Sequence, residues 1–330
     1  MKAAVLRAYG GPENIQITDL PEPVPKPGQV LVRLLSTTVN SGDARMRAMD
    51  VPAGMALPFR LVMGWHRPRQ PILGTEGAGV VVACGDGADR FRVGQAVVVF
   101  PGGRMGSHAE LITIPQDGKI IAKPSRLSMQ EAACMMFGGL TALDFLRRKA
   151  GLRRGEHVLI TGATGTVGSA GVQIAGILGA VVTGVASAGN LATLKDLGAE
   201  TCIDYRLGPI ALPLRPYDVI LDCAGTLPYP QAKRLLAPGG RLIRVWAELA
   251  EMITAPLIGR RAGHRVIAGV SAEKREDMLT LAEWAEAGLY RPLIDSVTPF
   301  ADIAKAHRLA STGHKRGSAV VEFAVPQTPA

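Results

Sequence analysis

Short apolar runs separated by turn residues dominate the first third of the chain. Runs such as QVLVRLLSTTV and GAGVVVAC are rich in β-branched residues, and PEPVPKPG and GDGADRF indicate turns between them. This pattern is typical of an irregular β domain. It predicts a domain of strands over residues 1–125.

Helical spacing begins after Ser125, and the pattern changes there. Ser128 and Glu131 form a capping-box pair, and apolar positions recur at helical intervals up to Gly151. Strand-like and helix-like runs then alternate, and the strand candidates are HVLIT (157–161), AVVTGVA (180–186), YDVILDCA (217–224), GRLIRVW (240–246) and HRVIAGV (264–270). This alternation predicts an α/β fold with a doubly wound parallel sheet.

The last part of the chain adds one helix and one strand after Pro292. The helix is ADIAKAHRLAS and the strand is SAVVEFAV, which we expect to return to the first domain. The predicted domains are therefore residues 1–125 with 292–330, and residues 126–291.

The amino-acid composition is that of a globular protein. The chain has 330 residues, of which 47% are apolar and 20% charged, as in a globular protein with two domains. The net charge of +9 favours a polyanionic partner or a phosphorylated ligand, although a solvated basic surface is the simpler interpretation. Four cysteines without a C-x-x-C pair indicate reduced thiols.

No targeting or membrane-spanning segment is predicted. The first residues lack an apolar run of signal-peptide length, which favours a cytoplasmic location. Residues 158–194 are uncharged, but Gly, Ser and Thr divide them into separate strand-like and helix-like runs.

A glycine-rich turn follows the strand HVLIT and precedes a helix-like run. Gly162, Gly165 and Gly168 have the spacing G-x-x-G-x-x-G. Such glycines allow a tight turn and close approach of a pyrophosphate, while the helix N-terminus offers N–H groups to the anion. The turn predicts a dinucleotide site that also includes Ala163 and Val167.

The next strand ends in Ser187-Ala188-Gly189-Asn190, which contains no acid. An acid at this point binds the ribose hydroxyls of NAD and would repel a 2′-phosphate. Ser187 and Asn190 can donate to a phosphate, and Lys195 follows one helical turn later, so NADPH is the predicted cofactor. Alternatively, Asn190 only caps the helix LATLKDLG, which ends at Gly198.

A second dehydrogenase pattern is present but poorly placed. Tyr229 and Lys233 have the Tyr-x-x-x-Lys spacing of short-chain dehydrogenases, whose glycine motif lies near the N-terminus and whose Tyr lies much further downstream of it. Here Tyr229 precedes Pro230 at a helix start. This catalytic interpretation is not favoured.

Five segments together carry a family resemblance: VNSGD (39–43), PILGTEGAGVV (71–81), RFRVGQAVV (90–98), GSHAELI (106–112) and AGLRRGEHVLITGATGTVG (150–168). They resemble the zinc-free, quinone-oxidoreductase-like branch of the medium-chain dehydrogenase/reductase superfamily. The resemblance implies a GroES-like β domain formed by both chain ends, a Rossmann domain between them, a cofactor in the cleft and a homodimer.

The resemblance also indicates that catalytic zinc is absent. Zinc alcohol dehydrogenases of the superfamily hold the metal with Cys-x-x-Asp and Gly-His-Glu motifs and a further Cys. Asn40 stands at the first Cys position, Thr75 at the His position and Phe137 near the last Cys, whereas Asp43 and Glu76 are retained. Because tetrahedral catalytic zinc needs three protein ligands, no metal is predicted.

Chemistry without zinc favours substrates that are already electrophilic. Quinones and α,β-unsaturated carbonyls accept hydride if hydrogen-bond donors meet the developing oxyanion, whereas alcohol oxidation loses the help of the metal. The resemblance places Asn40 and Thr141 beside the nicotinamide and its ribose, and Asp43 completes the candidate catalytic set. Alternatively, Asn40 only forms a turn and Thr141 only packs a helix.

Further cofactor contacts follow from the family alone. Tyr205 matches a residue that packs on adenosine, and Lys315 or Arg316 matches a residue that approaches the 2′-phosphate. Alternatively, Tyr205 is only an exposed loop residue. The single histidines His66 and His108 are interpreted as structural or surface residues.

Residues 45–71 are unusually apolar and contain five arginines. We interpret them as a flexible wall of a hydrophobic substrate pocket; a subunit contact or a membrane-interface helix are the alternatives.

The predicted protein is an NADPH-dependent, zinc-independent reductase of small hydrophobic electrophiles. The alternatives are an NADPH-bound protein that interacts with RNA or other proteins with little turnover, and a metal-free alcohol dehydrogenase. Nucleic acid is not the favoured partner.

Overall fold

The computed structural model describes residues 1–211, 214–261 and 263–324. Contacts divide the chain into two compact units. The first unit contains residues 1–51, 55–137 and those from 274 onward, and the second contains residues 52–54 and 138–273.

The strands are β1 (Lys2–Leu6), β2 (Ile15–Asp19), β3 (Gln29–Val39), β4 (Gly77–Cys84), β5 (Ala96–Val99), β6 (Leu111–Pro115), β7 (Ile120–Ala122), β8 (His157–Thr161), β9 (Val181–Ala186), β10 (Thr201–Asp204), β11 (Tyr217–Asp222), β12 (Leu236–Arg244), β13 (Arg265–Ala268), β14 (Ile294–Pro299) and β15 (Ser318–Glu322). The helices are α1 (Ser41–Ala48), α2 (Ala56–Met63), α3 (Met129–Ala133), α4 (Met136–Leu143), α5 (Thr166–Ile177), α6 (Leu191–Asp196), α7 (Tyr229–Ala232), α8 (Leu249–Arg261), α9 (Arg275–Glu286) and α10 (Ile303–Ser311). None of the described helices is long and apolar enough to cross a lipid bilayer.

The first unit is built around a sheet with the order β14-β15-β3-β4-β5-β7, and β6 also pairs with β3. β15 runs antiparallel to β3, with Ala319 opposite Val39. The final strand therefore joins the first unit, as predicted. Apolar side chains of β3, β4, β5 and β15 form the core, which Ile303 and Ala306 of α10 complete. This is the expected GroES-like β domain.

The second unit contains a parallel sheet with the order β10-β9-β8-β11-β12-β13. Because β9 and β10 lie on one side of β8, and β11 to β13 on the other, the order reverses between β8 and β11. Leu159 and Ile220 pack with Ala255 of α8 on one face. On the other face, Leu221 and Ile160 lie against Gly171 of α5. Apolar strands buried on both faces confirm the doubly wound Rossmann fold.

The unit boundaries differ from the predicted ones. Residues 126–137 and 274–291 group with the first unit. The change from strand-like to helix-like spacing along the sequence predicts that they belong to the second. The reason is packing: α3 contacts β3 and β4, and α9 contacts β7.

The predicted helical region 128–150 is interrupted. Ser128 and Glu131 do form the capping box, but α3 ends at Ala133 and α4 begins at Met136. Residues 144–150 continue as a π-helical segment that ends at Gly151, which has a left-handed backbone.

Candidate functional site

The glycine turn of the second unit lies between β8 and α5. Gly162 has a φ of +58°, in the left-handed region that glycine tolerates. A β-carbon on Gly168 would lie 2.1 Å from the carbonyl oxygen of Gly162, so no other residue fits there without moving the turn. Gly165 is the N-cap of α5 and provides no side-chain cap. The helix therefore presents backbone N–H groups toward an anion, as a dinucleotide pyrophosphate requires.

The two other predicted residues of this turn differ in exposure. Ala163 is fully buried, and its N–H donates to the carbonyl of Val185 at 3.1 Å. This bond holds the turn against β9, so the Ala163 amide is occupied within the protein. Val167 lies half-buried in the first turn of α5.

The predicted adenosine end lies at the carboxyl edge of the same sheet. Ala186 of β9 is paired with Asp204 of β10, so Ser187 and Tyr205 follow neighbouring strand ends. The amide of Asn190 donates to the hydroxyl of Ser187 at 3.1 Å. Asn190 is the N-cap residue of α6 by position, but its side chain accepts no helix N–H, so the expected side-chain cap is absent. Its amide instead belongs to the loop after β9.

A cation that sequence reasoning missed lies at this edge. The guanidinium of Arg206 is 6.0 Å from the ring centroid of Tyr205, whose side chain is 48% exposed. The Asp204 carboxylate accepts the Arg206 N–H at 3.0 Å and so fixes the turn. The signal in the sequence is a basic residue directly after Tyr205 at a strand end.

A second missed feature joins the ends of the central strands. Asp222 is fully buried at the end of β11 and forms an ion pair of 2.6 Å with Arg244 at the end of β12. It also accepts the Thr161 hydroxyl hydrogen and the N–H groups of Gly225 and Leu227. These bonds tie the ends of β8, β11 and β12 together at the edge where parallel sheets bind ligands.

Asn40 and Asp43 come together in the first unit at the start of α1. The Asn40 side chain accepts the N–H of Asp43 at 3.1 Å, and the Asp43 carboxylate accepts the N–H of Asn40 at 3.0 Å. This capping box supports the simple structural interpretation of Asn40. The Asn40 amide also donates to the hydroxyl of Thr75 at 2.6 Å.

Glu76 is fully buried beside this pair. One carboxylate oxygen accepts the Thr38 hydroxyl hydrogen at 2.7 Å. The other accepts the N–H groups of Met136 at 3.0 Å and Phe137 at 2.8 Å, at the start of α4. The interruption before α4 thus exposes N–H groups to a carboxylate 60 residues away in sequence.

Burial controls the ionisation of this acid cluster. It raises the pKa of Asp43 and of Glu76 to about 7, because the charged forms lose hydration. Lys315 lies near both carboxyl groups, and burial lowers its pKa to about 8 while the acids oppose this shift. Its ammonium donates to the carbonyl of Gly317 at 2.7 Å.

These contacts change the interpretation of Lys315. The family resemblance implies that Lys315 or Arg316 approaches the 2′-phosphate, but the half-buried Lys315 side chain lies near the acids of the first unit. The Arg316 side chain is exposed. Thr141 lies half-buried on α4 and belongs to the second unit, whereas Asn40 and Asp43 belong to the first.

His108 has a structural position. It is buried, its ring nitrogen Nε2 lies 2.8 Å from the carbonyl oxygen of Thr38, and its ring meets that of His307 edge-on at 5.3 Å. Burial lowers the pKa of His108 to about 4. His66 is exposed.

The residues present do not form a zinc site. Asn40 and Thr75, which stand where zinc alcohol dehydrogenases have Cys and His, bond to one another. Over residues 1–211, 214–261 and 263–324, no three His, Cys, Asp or Glu side chains are grouped so that they could hold a metal ion.

Comparison with known proteins identifies the family. Two family models match: an alcohol dehydrogenase GroES-like domain over residues 26–125 and a zinc-binding dehydrogenase over residues 197–321. The chloroplast envelope quinone oxidoreductase homolog of Arabidopsis thaliana is 27% identical over 339 residues and matches over 98% of each chain. The mitochondrial NAD(P)H oxidoreductase RTN4IP1 of Danio rerio is 28% identical over 357 residues, which cover 98% of this chain and 91% of that protein.

A solved structure gives the same result. The quinone oxidoreductase from Coxiella burnetii superposes with a TM-score of 0.84 at 25% identity, over 98% of this chain and 99% of that one. The glycine turn, the strand order and these relatives agree on an oxidoreductase that binds a pyridine nucleotide. The chain belongs to the quinone-oxidoreductase-like branch of the medium-chain dehydrogenase/reductase superfamily.

Proposed function

We propose that the protein is an NADPH-dependent, zinc-independent reductase of quinones or α,β-unsaturated carbonyls. The observation that carries this proposal is the hydrogen bond between Asn40 and Thr75. An amide and a hydroxyl that bond to each other, at the positions of two zinc ligands in alcohol dehydrogenases, make a poor metal site. Without the metal, deprotonation of an alcohol has no evident assistance, whereas an electrophilic alkene or quinone needs none.

The second unit has residues suited to hold the nucleotide. When bound, NADPH supplies hydride from the nicotinamide C4 atom. Gly162 and Gly168 allow the tight turn before α5, and Gly165 leaves the first N–H groups of this helix without a side-chain cap, so they can bind the pyrophosphate. Ser187 and Arg206 offer a hydroxyl and a cation toward a 2′-phosphate. Open space surrounds Gly189, where a β-carbon would meet no atom within 4 Å.

The first unit supplies a candidate donor for the substrate. One N–H of the Asn40 amide serves Thr75, and we assign the other to the oxygen that gains negative charge during reduction. Such a donor stabilises the transition state more than the ground state. Water or a ribose hydroxyl provides the final proton.

The two alternative functions are less well supported. The three relatives described above are named as oxidoreductases, which does not favour a nucleic-acid or protein-interaction role with little turnover. A metal-free alcohol dehydrogenase would have to remove the hydroxyl proton without a metal, and the acids beside Asn40, which are Asp43 and Glu76, are fully buried. A homodimer and a cytoplasmic location remain part of the proposal, and the relatives named above include a chloroplast envelope and a mitochondrial protein.

A screen of acceptors tests the function. Full-length protein treated with a chelator is supplied with NADPH and either 1,4-benzoquinone, short enones and enals, or, with NADP, simple alcohols. We expect reduction of the first two groups to exceed alcohol oxidation by at least about 100-fold. Asn40→Ser, which keeps a capping oxygen, should lower turnover by about 10²–10³-fold with little change in NADPH affinity. Efficient alcohol oxidation without enone or quinone reduction would contradict the proposed reaction.

A further inference from the structure

Helix α2 in the first unit presents an apolar face to solvent. Leu57 and Leu61, one turn apart, are 59% and 60% exposed, and Val62 is 68% exposed. Pro58 is exposed on the same side. We call these four side chains the apolar face of α2. No residue of this helix is fully buried, and the half-buried Phe59 and Met63 lie on its opposite side.

Specific contacts hold this helix to the first unit. The Tyr9 hydroxyl lies within hydrogen-bond distance of the carbonyls of Met63, at 3.2 Å, and Gly64, at 3.1 Å. The N–H of Arg69 donates to the carbonyl of Met63 at 2.7 Å. Because these bonds fix the C-terminal end of α2, the apolar face is presented by an anchored element.

The turn after α2 gathers positive charge next to this face. Gly64 has a φ of +116°, and a β-carbon on it would lie 2.2 Å from the carbonyl oxygen of Arg67. Only glycine allows this tight turn, which brings the exposed Arg67 and Arg69 back beside the helix end. Arg60 donates to the carbonyl of Trp65 at 2.6 Å, and the Trp65 side chain is 50% exposed.

The charges around the apolar face of α2 indicate which kind of partner it binds. Residues 51–70 include Arg60, Arg67 and Arg69 but no Asp or Glu. A symmetric contact with a second copy through this face would place the same arginines against one another without an acid to neutralise them. Apolar side chains, an exposed tryptophan and flanking arginines instead match the interface of a bilayer that contains anionic lipid.

We propose that α2 and the turn through Arg69 dock on the surface of an anionic phospholipid bilayer. The apolar face enters the boundary between headgroups and acyl chains, and the arginines pair with lipid phosphates. The helix has eight residues, or about 12 Å at 1.5 Å per residue, so it lies in the interface and cannot span the membrane. This inference does not depend on the proposed reaction.

Vesicle flotation of the full-length protein tests the proposal. Vesicles contain phosphatidylcholine alone or phosphatidylcholine with about one third phosphatidylglycerol, at low salt and at high salt. We expect at least ten-fold tighter binding to the anionic vesicles, and weaker binding at high salt because the arginine contribution is screened. No binding to anionic vesicles, or equal binding to both kinds, would overturn the proposal.

Variants locate the binding face. Leu57→Ser with Leu61→Ser should reduce binding to anionic vesicles at least ten-fold, and Arg67→Gln with Arg69→Gln should abolish the preference for anionic lipid. The matched control is Ile253→Ser with Leu257→Ser on α8, which are 65% and 64% exposed and also one turn apart. This control should bind like the unmodified protein.

Two further measurements distinguish the other occupants. The thermal midpoint of each variant shows that the fold is intact. If Leu57→Ser with Leu61→Ser changes the oligomeric state in light scattering while vesicle binding persists, the face is a contact between copies. If it lowers NADPH oxidation in free solution and leaves vesicle binding unchanged, the face is a pocket wall. Either result rejects membrane docking.

Discussion

A substitution at Gly168 tests whether the glycine turn between β8 and α5 binds the nucleotide. Gly168→Ala places a methyl group 2.1 Å from the carbonyl oxygen of Gly162, so the turn or the helix start must move. Overpacking of this kind costs about 1–3 kcal/mol, which predicts NADPH binding weakened by roughly 5–150-fold. Fluorescence titration with NADPH measures the change.

Gly176 provides a control in the same helix. A β-carbon there meets no atom within 4 Å, and alanine is the better helix former. Gly176→Ala should therefore bind NADPH like the unmodified protein. If both variants lose the same NADPH affinity, the close contact between Gly168 and Gly162 does not explain the loss.

The choice between NADPH and NADH depends on the residues after β9. Charge-assisted hydrogen bonds to a phosphate contribute about 1.5–3 kcal/mol each, so two of them predict roughly 10²–10⁴-fold tighter binding of NADPH than NADH. Gly189→Asp places a carboxylate in open space beside Ser187 and should reverse or erase this preference. The ratio of dissociation constants for the two cofactors is the readout.

Gly189→Asn separates charge from bulk in that experiment. Asparagine has nearly the shape of aspartate but no charge, so it should keep most of the preference for NADPH. If the unmodified protein binds both cofactors equally, the neutral end of β9 has no phosphate specificity.

Single residues were predictable where their role is local. The glycines lie in a turn of seven residues, and their spacing together with the flanking strand and helix predicted that turn. Lys315 was assigned to a phosphate because its contacts with Glu76 and Asp43 join residues more than 200 positions apart. Asn190 was expected to cap a helix, yet its partner Ser187 precedes it in the loop.

At the scale of elements, the first N–H groups of α4 donate hydrogen bonds to the buried carboxyl group of Glu76. Burial raises the pKa of Asp43 and Glu76 to about 7, above the ordinary values of 3.8 and 4.5. Between roughly pH 4 and pH 7 the folded protein therefore keeps protons that the unfolded chain has released. The stabilising contribution of the protonated acids is fully present below that window and is lost as the pH rises through it.

Glu76→Gln isolates this effect. Near pH 5 the native carboxyl group is protonated, so glutamine should change stability little. Near pH 8 the variant should gain about 1–3 kcal/mol relative to the unmodified protein, because it avoids a buried charge. Thermal unfolding from pH 5 to pH 8 measures the difference. Glu22→Gln, which alters an exposed acid, should show no such trend.

Strands were easier to predict than helix ends. The runs at 29–39, 77–84 and 157–161 match β3, β4 and β8 at both ends, because an apolar run bounded by turn residues is a local signal. The sequence contains no comparable local signal for the break between α3 and α4. Glu76 binds the N–H groups of Met136 and Phe137, and it lies directly before β4, 60 residues away from Met136 in sequence.

For the whole molecule, the donor set predicts a protein without resident zinc. Asn40 and Thr75 bond to each other, so elemental analysis of the purified protein should find well below one zinc per chain. Activity with NADPH should survive prolonged chelation. One tightly held zinc per chain, lost together with activity, would contradict this prediction.

The two-unit architecture followed from sequence, but its boundaries did not. Composition changes near residue 125, while α3 still packs on β3 and β4 of the first unit. Likewise α9 joins the first unit through β7. The unit to which a helix belongs depends on the strands against which it packs, and local sequence composition does not show these contacts.

The position of β15 has a consequence for biosynthesis. β15 lies between β14 and β3, inside the sheet of the first unit. During translation, residues 138–273 emerge from the ribosome early enough for the second unit to fold alone. The sheet that begins with the earliest residues must wait for Ser318–Glu322 to leave the exit tunnel. Nascent chains therefore expose the flank of β3 until Ser318–Glu322 have emerged, and chaperones have access to it during that time.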